Sequence, residues 1–545
     1  MPFEIQMLLI VLAIVFVVSF IIKRYQDNKL RKYYRTSIGL LNTRKFEGDH
    51  LQKLKFYSEQ VQQKDSFYID NITSHDLDLD YFYNLINTAG SQIGYEYLYS
   101  VLRHIKLNEE SLSERKKLVD YFKADKEKHA MTLYELSKIK GLPYYLSFYE
   151  QIFHLKKEKK SYSHHVQFLV LIITIIVSLI NPNIGVPLFG FSLMFNVIRY
   201  LVLELSKQSN LNSFMGLVSA SDAINRIVKI NPDILDNSVA KRVNVFRRGS
   251  FVKDGSSTNE FEFLTKIIFY VTHLDFIYYY RMLSHLQNNF QDALDLFEQI
   301  GEIETALVIA NLHASDINPS HPIFTNTEPL SIKQMRHPLV KDIVANDVHI
   351  DESLLVTGSN ASGKSTFIKG IAMNIVSSQA LLTSFSDGYQ GPFYKVLSSM
   401  ALKDSIESSE SYFMVEIRSL NRIVNESQDD VRVIGFIDEI LRGTNTIERI
   451  AASSAVLQQF IEKNKRFVAA THDIELTKIL ENEVRNVHFT ETLKGDDISF
   501  DYEVKDGPSQ SRNAIKLLEI NGYSSQIIDK ANEMVQHFEK EGQWL

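Results

Sequence analysis

The sequence predicts an α plus α/β chain, in which a long helical region carrying transmembrane helices is followed by a C-terminal α/β domain built around a phosphate-binding loop. Three observations carry this prediction. The stretch Leu354–Asn374, LLVTGSNASGKSTFIKGIAMN, reads as strand, glycine-bounded loop and helix. Apolar runs at Met7–Ile22 and Val166–Leu205 compete as membrane segments. Residues 40–160 and 206–315 repeat apolar side chains at helical spacing, as in Ile86, Ile93, Tyr97, Leu98, Val101 and Leu102, whereas from about residue 323 strand-like and helix-like stretches alternate.

Composition limits the reading. The 545 residues suffice for roughly two to four domains with a large apolar core. A net charge of -7 lacks the basic surplus that phosphate-backbone binding usually brings, so any nucleic-acid contact needs a local basic face. The chain has no cysteine, which excludes disulfides, thiolate metal sites and cysteine nucleophiles.

The loop comes first in the chemistry. Gly358, Ser359, Asn360, Ala361, Ser362 and Gly363 let the backbone curl so that successive N–H groups face phosphate oxygens. Lys364 neutralises β/γ charge, Ser365 offers a hydroxyl to Mg²⁺, and the helix opening there through Thr366 adds the positive end of its dipole. The alternative is an ordinary Gly/Ser turn, against which the preceding strand and following helix weigh. A second strand, Val431–Ile437, runs into Asp438 and Glu439, delivering two carboxylates to the edge of a parallel sheet where the loop also opens. Asp438 can hold the metal and Glu439 can polarise an attacking water. A third strand, Arg466–Ala470, ends at Thr471-His472-Asp473, and a histidine there can bond the γ-phosphate and report its loss.

The apolar segments set the expected topology. Charges follow the Met7–Ile22 run, at Lys23 and Arg24, which fits an uncleaved anchor better than a secretory signal. Val166–Ile180 and Ile184–Ile198 flank Asn181-Pro182-Asn183 and read as a helical hairpin with lysines at 156, 157, 159 and 160 before it; a buried soluble hairpin is the competing reading. The expected segments are an anchor at 1–24, a cytoplasmic helical region at 25–160, a transmembrane hairpin at 161–206, a second helical part at 207–320 and an ATP-handling domain at 321–545. That makes a multi-pass cell-membrane protein with three crossings, its N-terminus outside and its C-terminal domain cytoplasmic. Phe263–Leu286 suggests long helices, and its aromatic side chains are core packing more often than platforms for bases.

With these residues in place, the chain resembles the MutS family of ATPases, a branch of the ABC-type ATPases. The resemblance rests on TGSNASGKSTFIKGIAMN (357–374), SESYFMVEIRSLNRIV (409–424), IGFIDEILRGTNTIERIAAS (434–453), AATHDIELTKIL (469–480) and the segment at 500–534, and more weakly on Arg336-His337-Pro338 and residues 85–105. It implies a P-loop ABC-type ATPase domain using ATP and Mg²⁺, lever helices upstream, and a homodimer with two composite sites. Ser411 matches the serine that reaches the γ-phosphate held by the opposite subunit. GTNT (443–446) would line the same interface, and the helices after Gly522 resemble the dimerisation end.

Departures bear on function. The position that usually carries an adenine-stacking aromatic is Ile343 here. Membrane signals stand where the mismatch-reading domain with its Phe-x-Glu wedge is expected, so the chain reads as a variant lacking that domain; the Phe261-Glu262-Phe263 string falls in a lever-like helix. Two classes of action follow: an ATPase gripping mismatched or branched DNA, or an ABC-like mechanical device acting on a membrane or protein partner in the lipid bilayer without DNA.

Overall fold

The computed structural model describes residues 3–41, 45–143, 146–247, 267–327, 329–359, 362–400, 412–428, 431–494, 497–509, 514–520 and 522–544. They form two compact units, one of residues 1–62, 86–101 and 113–316, the other of 63–85, 102–112 and 317–545.

The first unit is helical. Its centre is the helix Phe290–His313, buried along most of its length through residues such as Leu296, Phe297, Ile300, Leu307 and Ile309. It crosses the segment from Gly90 at close range. A Cβ on Gly301 would sit 2.2 Å from Tyr97 Cγ, and one on Gly94 would sit 2.3 Å from Glu304 Oε2, so only glycine permits the approach. Two carboxylates supplement the local serine caps at helix starts. Glu304 accepts the amides of Gly90 (2.6 Å) and Ser91 (3.0 Å) at the head of the helix Gln92–Arg103. Glu96 accepts Tyr149 N (3.1 Å) and Ser147 Oγ (2.8 Å) at the head of Phe148–Lys157. Burial pushes each carboxyl up to about 7 against those hydrogen bonds.

The apolar hairpin consists of Ser163–Ile180 and Pro182–Ile230, turning at Asn181 with Pro182 as the first helical residue. The second apolar segment, expected at Ile184–Ile198 or a little beyond, lies in one helix of 49 residues, which continues past it because Phe214, Leu217, Ile224 and Ile227 keep an apolar stripe that packs in the unit's core. Among the described residues, Ser163–Ile180 and Pro182–Lys207 are long and apolar enough to cross a membrane, and Leu179, Ile180 and Phe191 stand exposed on them. The Met7–Ile22 run lies inside the helix Phe3–Thr36, whose basic end is tied by Arg35 to Glu127 (2.5 Å).

Two further expectations are refined. The Phe263–Leu286 run is helical on both sides of a break: over the described residues, helix ends at residue 272, His273 adopts φ 55°, and a new helix begins at Leu274. His273 is held in that turn by His164 (3.0 Å) and the Asn196 carbonyl (2.9 Å). Phe276, Tyr279 and Tyr280 are buried there, which removes them as base platforms. The stretch 40–160 is not wholly helical, since β1 (Ser66–Tyr68) pairs antiparallel with β2 (His104–Lys106) and belongs to the second unit. Three-residue strands carry too little periodicity to register in the sequence.

In the second unit, β3 (Pro322–Phe324), β4 (Leu330–Met335), β5 (Asn346–Ile350) and β7 (Gly388–Gly391) make a four-stranded sheet ordered β3-β7-β4-β5. The remaining strands are β6 (Leu354–Thr357), β8 (Tyr394–Ser399), β9 (Arg432–Asp438), β10 (Arg466–Ala470), β11 (Arg485–Lys494) and β12 (Asp497–Asp506). They form one sheet ordered β12-β11-β6-β10-β9-β8, parallel except for the β11–β12 hairpin. Its central strands β6, β9 and β10 are near-continuous apolar runs, as buried parallel strands are; Leu355, Val433, Ile437, Phe467 and Ala469 share a core with Leu457 and Phe460. The segment 63–85 docks on β8, where Asp76 accepts Ser398 Oγ (2.6 Å) and Met400 N (3.0 Å).

Candidate active site

The register of the sheet assembles the site. Ala470 pairs with Val356 on one side and with Asp438 on the other, so the carboxyl ends of β6, β9 and β10 finish level. At the end of β6, Gly358 takes φ 146°, and a Cβ there would meet the Phe489 carbonyl at 2.9 Å. Gly363, at φ 105°, precedes the helix Lys364–Leu381. Lys364 folds back over the loop and donates to the carbonyls of Gly358 (2.8 Å) and Ser359 (2.8 Å). Its ammonium is nearly buried. Burial lowers its pKa, while Glu439, Asp438 and Glu491 counteract.

His472 Nε2 donates to Glu439 Oε1 (3.0 Å) and lies 3.4 Å from Lys364 Nζ. Arg442 also pairs with Glu439. Burial on its own would raise the Glu439 carboxyl, but the His472 hydrogen bond, with the charges of Arg442, His472 and Lys364, holds it below the usual range, so it is ionised from mildly acidic pH upward. Glu439 adopts φ 56°, outside ordinary strand geometry, and its amide donates to the Ala470 carbonyl (3.0 Å). A bidentate pair, Arg449 with Asp473 (2.9 and 2.6 Å), fixes the chain just after His472.

Lys364, Asp438, Glu439 and His472 therefore converge, with Ser362, Gly363, Ser365 and Thr366 bordering the same space. Ser359 turns its hydroxyl to Glu491 (2.7 Å). Asn360, Ala361 and Ser411, expected in the site, lie outside the described residues, as does Phe261-Glu262-Phe263. A phosphate and a divalent cation fit what is there. Asp438 Oδ1 and Ser362 Oγ are buried and, among the described residues, have no hydrogen-bond partner, while an ammonium and an exposed Ser365 stand beside them.

A cavity of about 520 Å³ opens from the loop and is lined by Gly363–Phe367, Ile343, Val344, Glu439, Phe489 and Tyr502. Ile343 is thus a wall of the same space. Tyr502, on β12, is a wall that sequence reasoning passed over. It sits within the segment quoted for the C-terminal resemblance, at φ 54° and half exposed, and an aromatic residue in a strand is ordinarily read as sheet packing. Asn346 ties the two walls together, donating to the carbonyls of Val344 (3.2 Å) and Tyr502 (2.9 Å) and accepting Val504 N (2.8 Å).

If Tyr502 supplies the face for a nucleotide base, Tyr502→Ala should weaken ATP binding by about 1–3 kcal/mol, the range for base–aromatic stacking. Tyr502→Phe should keep most of it. Equilibrium binding of a fluorescent ATP analogue measures both, and an unaltered Kd in the alanine variant removes Tyr502 from the role.

Residues 354–539 match the family model of MutS domain V. The DNA mismatch repair protein MutS of Lactobacillus delbrueckii subsp. bulgaricus is 25% identical over 284 residues, which cover 50% of this chain and 33% of that protein. MutS of Thermotoga maritima is 28% identical over 255 residues, 45% of this chain and 31% of the relative. MutS of Listeria monocytogenes is 26% identical over 280 residues, 48% and 32% respectively. The chain thus spans about a third of the length of these relatives. Together the matches support the MutS family for the C-terminal half of the chain, the half that holds the loop, Asp438, Glu439, His472 and Tyr502.

Proposed function

We propose that the chain is a membrane-anchored, MutS-like ATPase that hydrolyses ATP with Mg²⁺ in composite sites of a homodimer and uses the cycle to move its long helices as levers. The observation that carries the reading is the convergence of Lys364, Asp438, Glu439 and His472 at the level ends of three parallel strands. Backbone N–H groups of residues 358–365 and Lys364 Nζ bind and orient the triphosphate, and Ser365 and Asp438 would hold the magnesium, which supplies charge neutralisation between β- and γ-phosphate oxygens. Glu439, kept ionised, orients water for in-line attack and accepts its proton. His472 fixes the carboxylate, and the resemblance makes Ser411 the group that a second subunit would lend.

The names of the relatives, DNA mismatch repair proteins, make mismatched DNA the first candidate cargo, with branched DNA beside it. A second reading, lever movement acting on a membrane or protein partner without DNA, is favoured by one observation: the helix Pro182–Ile230 runs unbroken from the exposed apolar hairpin into the helical core. The acidic net charge of -7 agrees with it. Three membrane crossings, at Met7–Ile22, 166–180 and 184–205, with the N-terminus outside and residues 321–545 cytoplasmic, complete the proposal. Their support is the exposed apolar surface of the hairpin and the lysines and arginines that flank each segment.

Three measurements test these statements. Glu439→Gln should bind ATP with unchanged affinity and lose roughly a hundredfold or more in kcat, whereas Lys364→Ala should lose triphosphate affinity itself; normal turnover in the first, or normal binding in the second, contradicts the assigned role. Detergent-solubilised protein titrated with homoduplex, mismatched and junction DNA across salt should give a steep salt slope and a structural preference if DNA is the cargo, and no binding at low salt if it is not. Protease added outside right-side-out vesicles should leave residues 321–545 intact, and their digestion reverses the orientation.

A further inference from the structure

The turn after β9 is held from two sides, and one of them has no place in the chemistry described so far. Glu439 and Leu441 both adopt φ 56°, a left-handed conformation that bulky L residues rarely take without support. On one side, β10 supplies the carbonyl that receives Glu439 N. On the other stands the helix Tyr412–Asn425. Its Glu416, only 4% exposed, accepts the amide of Leu441 through Oε1 and attracts the amide of Arg442 as well. One turn earlier, Phe413 presses on the same loop, since a Cβ on Gly443 would lie 3.0 Å from Phe413 Cδ2.

A buried carboxylate is an expensive way to fill space that leucine or methionine would fill without desolvation cost. The other oxygen, Oε2, is buried with no hydrogen-bond partner among the described residues, so Glu416 is not there to complete a polar network. What it does is hold the Leu441 amide of a turn whose first residue is Glu439 and whose fourth, Arg442, pairs with the Glu439 side chain. The clamp therefore sets the backbone under the carboxylate and the cation beside it.

We propose that Glu416 is a positioning residue for hydrolysis, holding the left-handed turn Glu439–Arg442 so that the Glu439 carboxylate points at the water it must orient. This rests on the reading of Glu439 as the water-orienting base. Without the clamp the turn relaxes toward ordinary backbone angles and displaces the Glu439 carboxylate, while the phosphate loop, on a different strand, is untouched.

The test uses the full-length protein in detergent and compares Glu416→Ala, Glu416→Gln and Glu439→Gln by kcat, KM, ATP Kd and thermal midpoint. Glu416→Ala should lower kcat roughly ten- to hundredfold, the effect of a small misplacement of a catalytic group, with KM and Kd within about twofold. Glu416→Gln, which keeps an acceptor for Leu441 N, should return kcat to within about threefold of wild type. Should the alanine variant fail to fold, Glu416→Asp, which withdraws the acceptor by one methylene, takes its place with the same kcat-confined loss. Unchanged kcat in Glu416→Ala, an equal loss in the glutamine variant, or a loss confined to KM overturns the inference. If Glu439→Gln is inactive while Glu416→Ala is normal, the inference alone falls. If Glu439→Gln hydrolyses ATP normally, or wild type not at all, the reading of the site falls and takes the inference with it.

Discussion

A nearly buried ammonium group governs the second unit. Lys364, in the first turn of its helix, reaches back to the end of β6, and the carbonyls of Gly358 and Ser359 receive its protons at 2.8 Å. An ammonium withdrawn from water is costly unless its charge is answered, and the nearby carboxylates of Glu439, Asp438 and Glu491 answer it only in part. That arrangement exists because β6 lies between β10 and β11, which brings Asp438 and His472 level with the loop. Any change in strand order would leave the lysine buried without counter-charges.

The helical unit solves a different problem with the same chemistry. Helix starts at Gln92 and Phe148 leave amides that water does not reach, and Glu304 and Glu96 satisfy part of them from across the core, alongside the local serine caps Ser91 and Ser147. A carboxylate used this way locks two segments distant in sequence into one geometry. Glycine at 94 and 301 is the steric condition for it, since the helices must approach closely enough for the side chain to reach. Rigid packing of this kind lets a 49-residue helix carry an apolar surface at one end and a core stripe at the other without a hinge.

What was legible in the sequence followed from how local each signal is. Gly358, Gly363 and Lys364 announce a phosphate loop because backbone curl and charge must be adjacent, and strand-then-acid at Ile437-Asp438 needs only seven residues to declare itself. The turn at Asn181-Pro182 was equally local. By contrast, Tyr502 reaches the cavity only through the β11–β12 hairpin, and Glu416 reaches Leu441 across a separation of 25 residues. Neither relation leaves a trace in spacing. The break at His273 was hidden because its cause, contacts with His164 and Asn196, lies on other helices. The strands β1 and β2 are three residues each, shorter than one period of evidence either way.

The substitution of Ile343 for an aromatic looks different once the cavity is known. Asn346, which lines the same cavity, is occupied on both ends by backbone of the Ile343 loop and of β12. It braces the cavity and has little capacity left to read a base edge. A base placed in this cavity would meet an aliphatic wall at Ile343 and an aromatic one at Tyr502, both of which accept any flat ring. A pocket that hydrogen-bonds a group discriminates strongly against its absence, whereas one that only packs does not. On the proposed reading, these two walls would therefore add contact area without selecting the base.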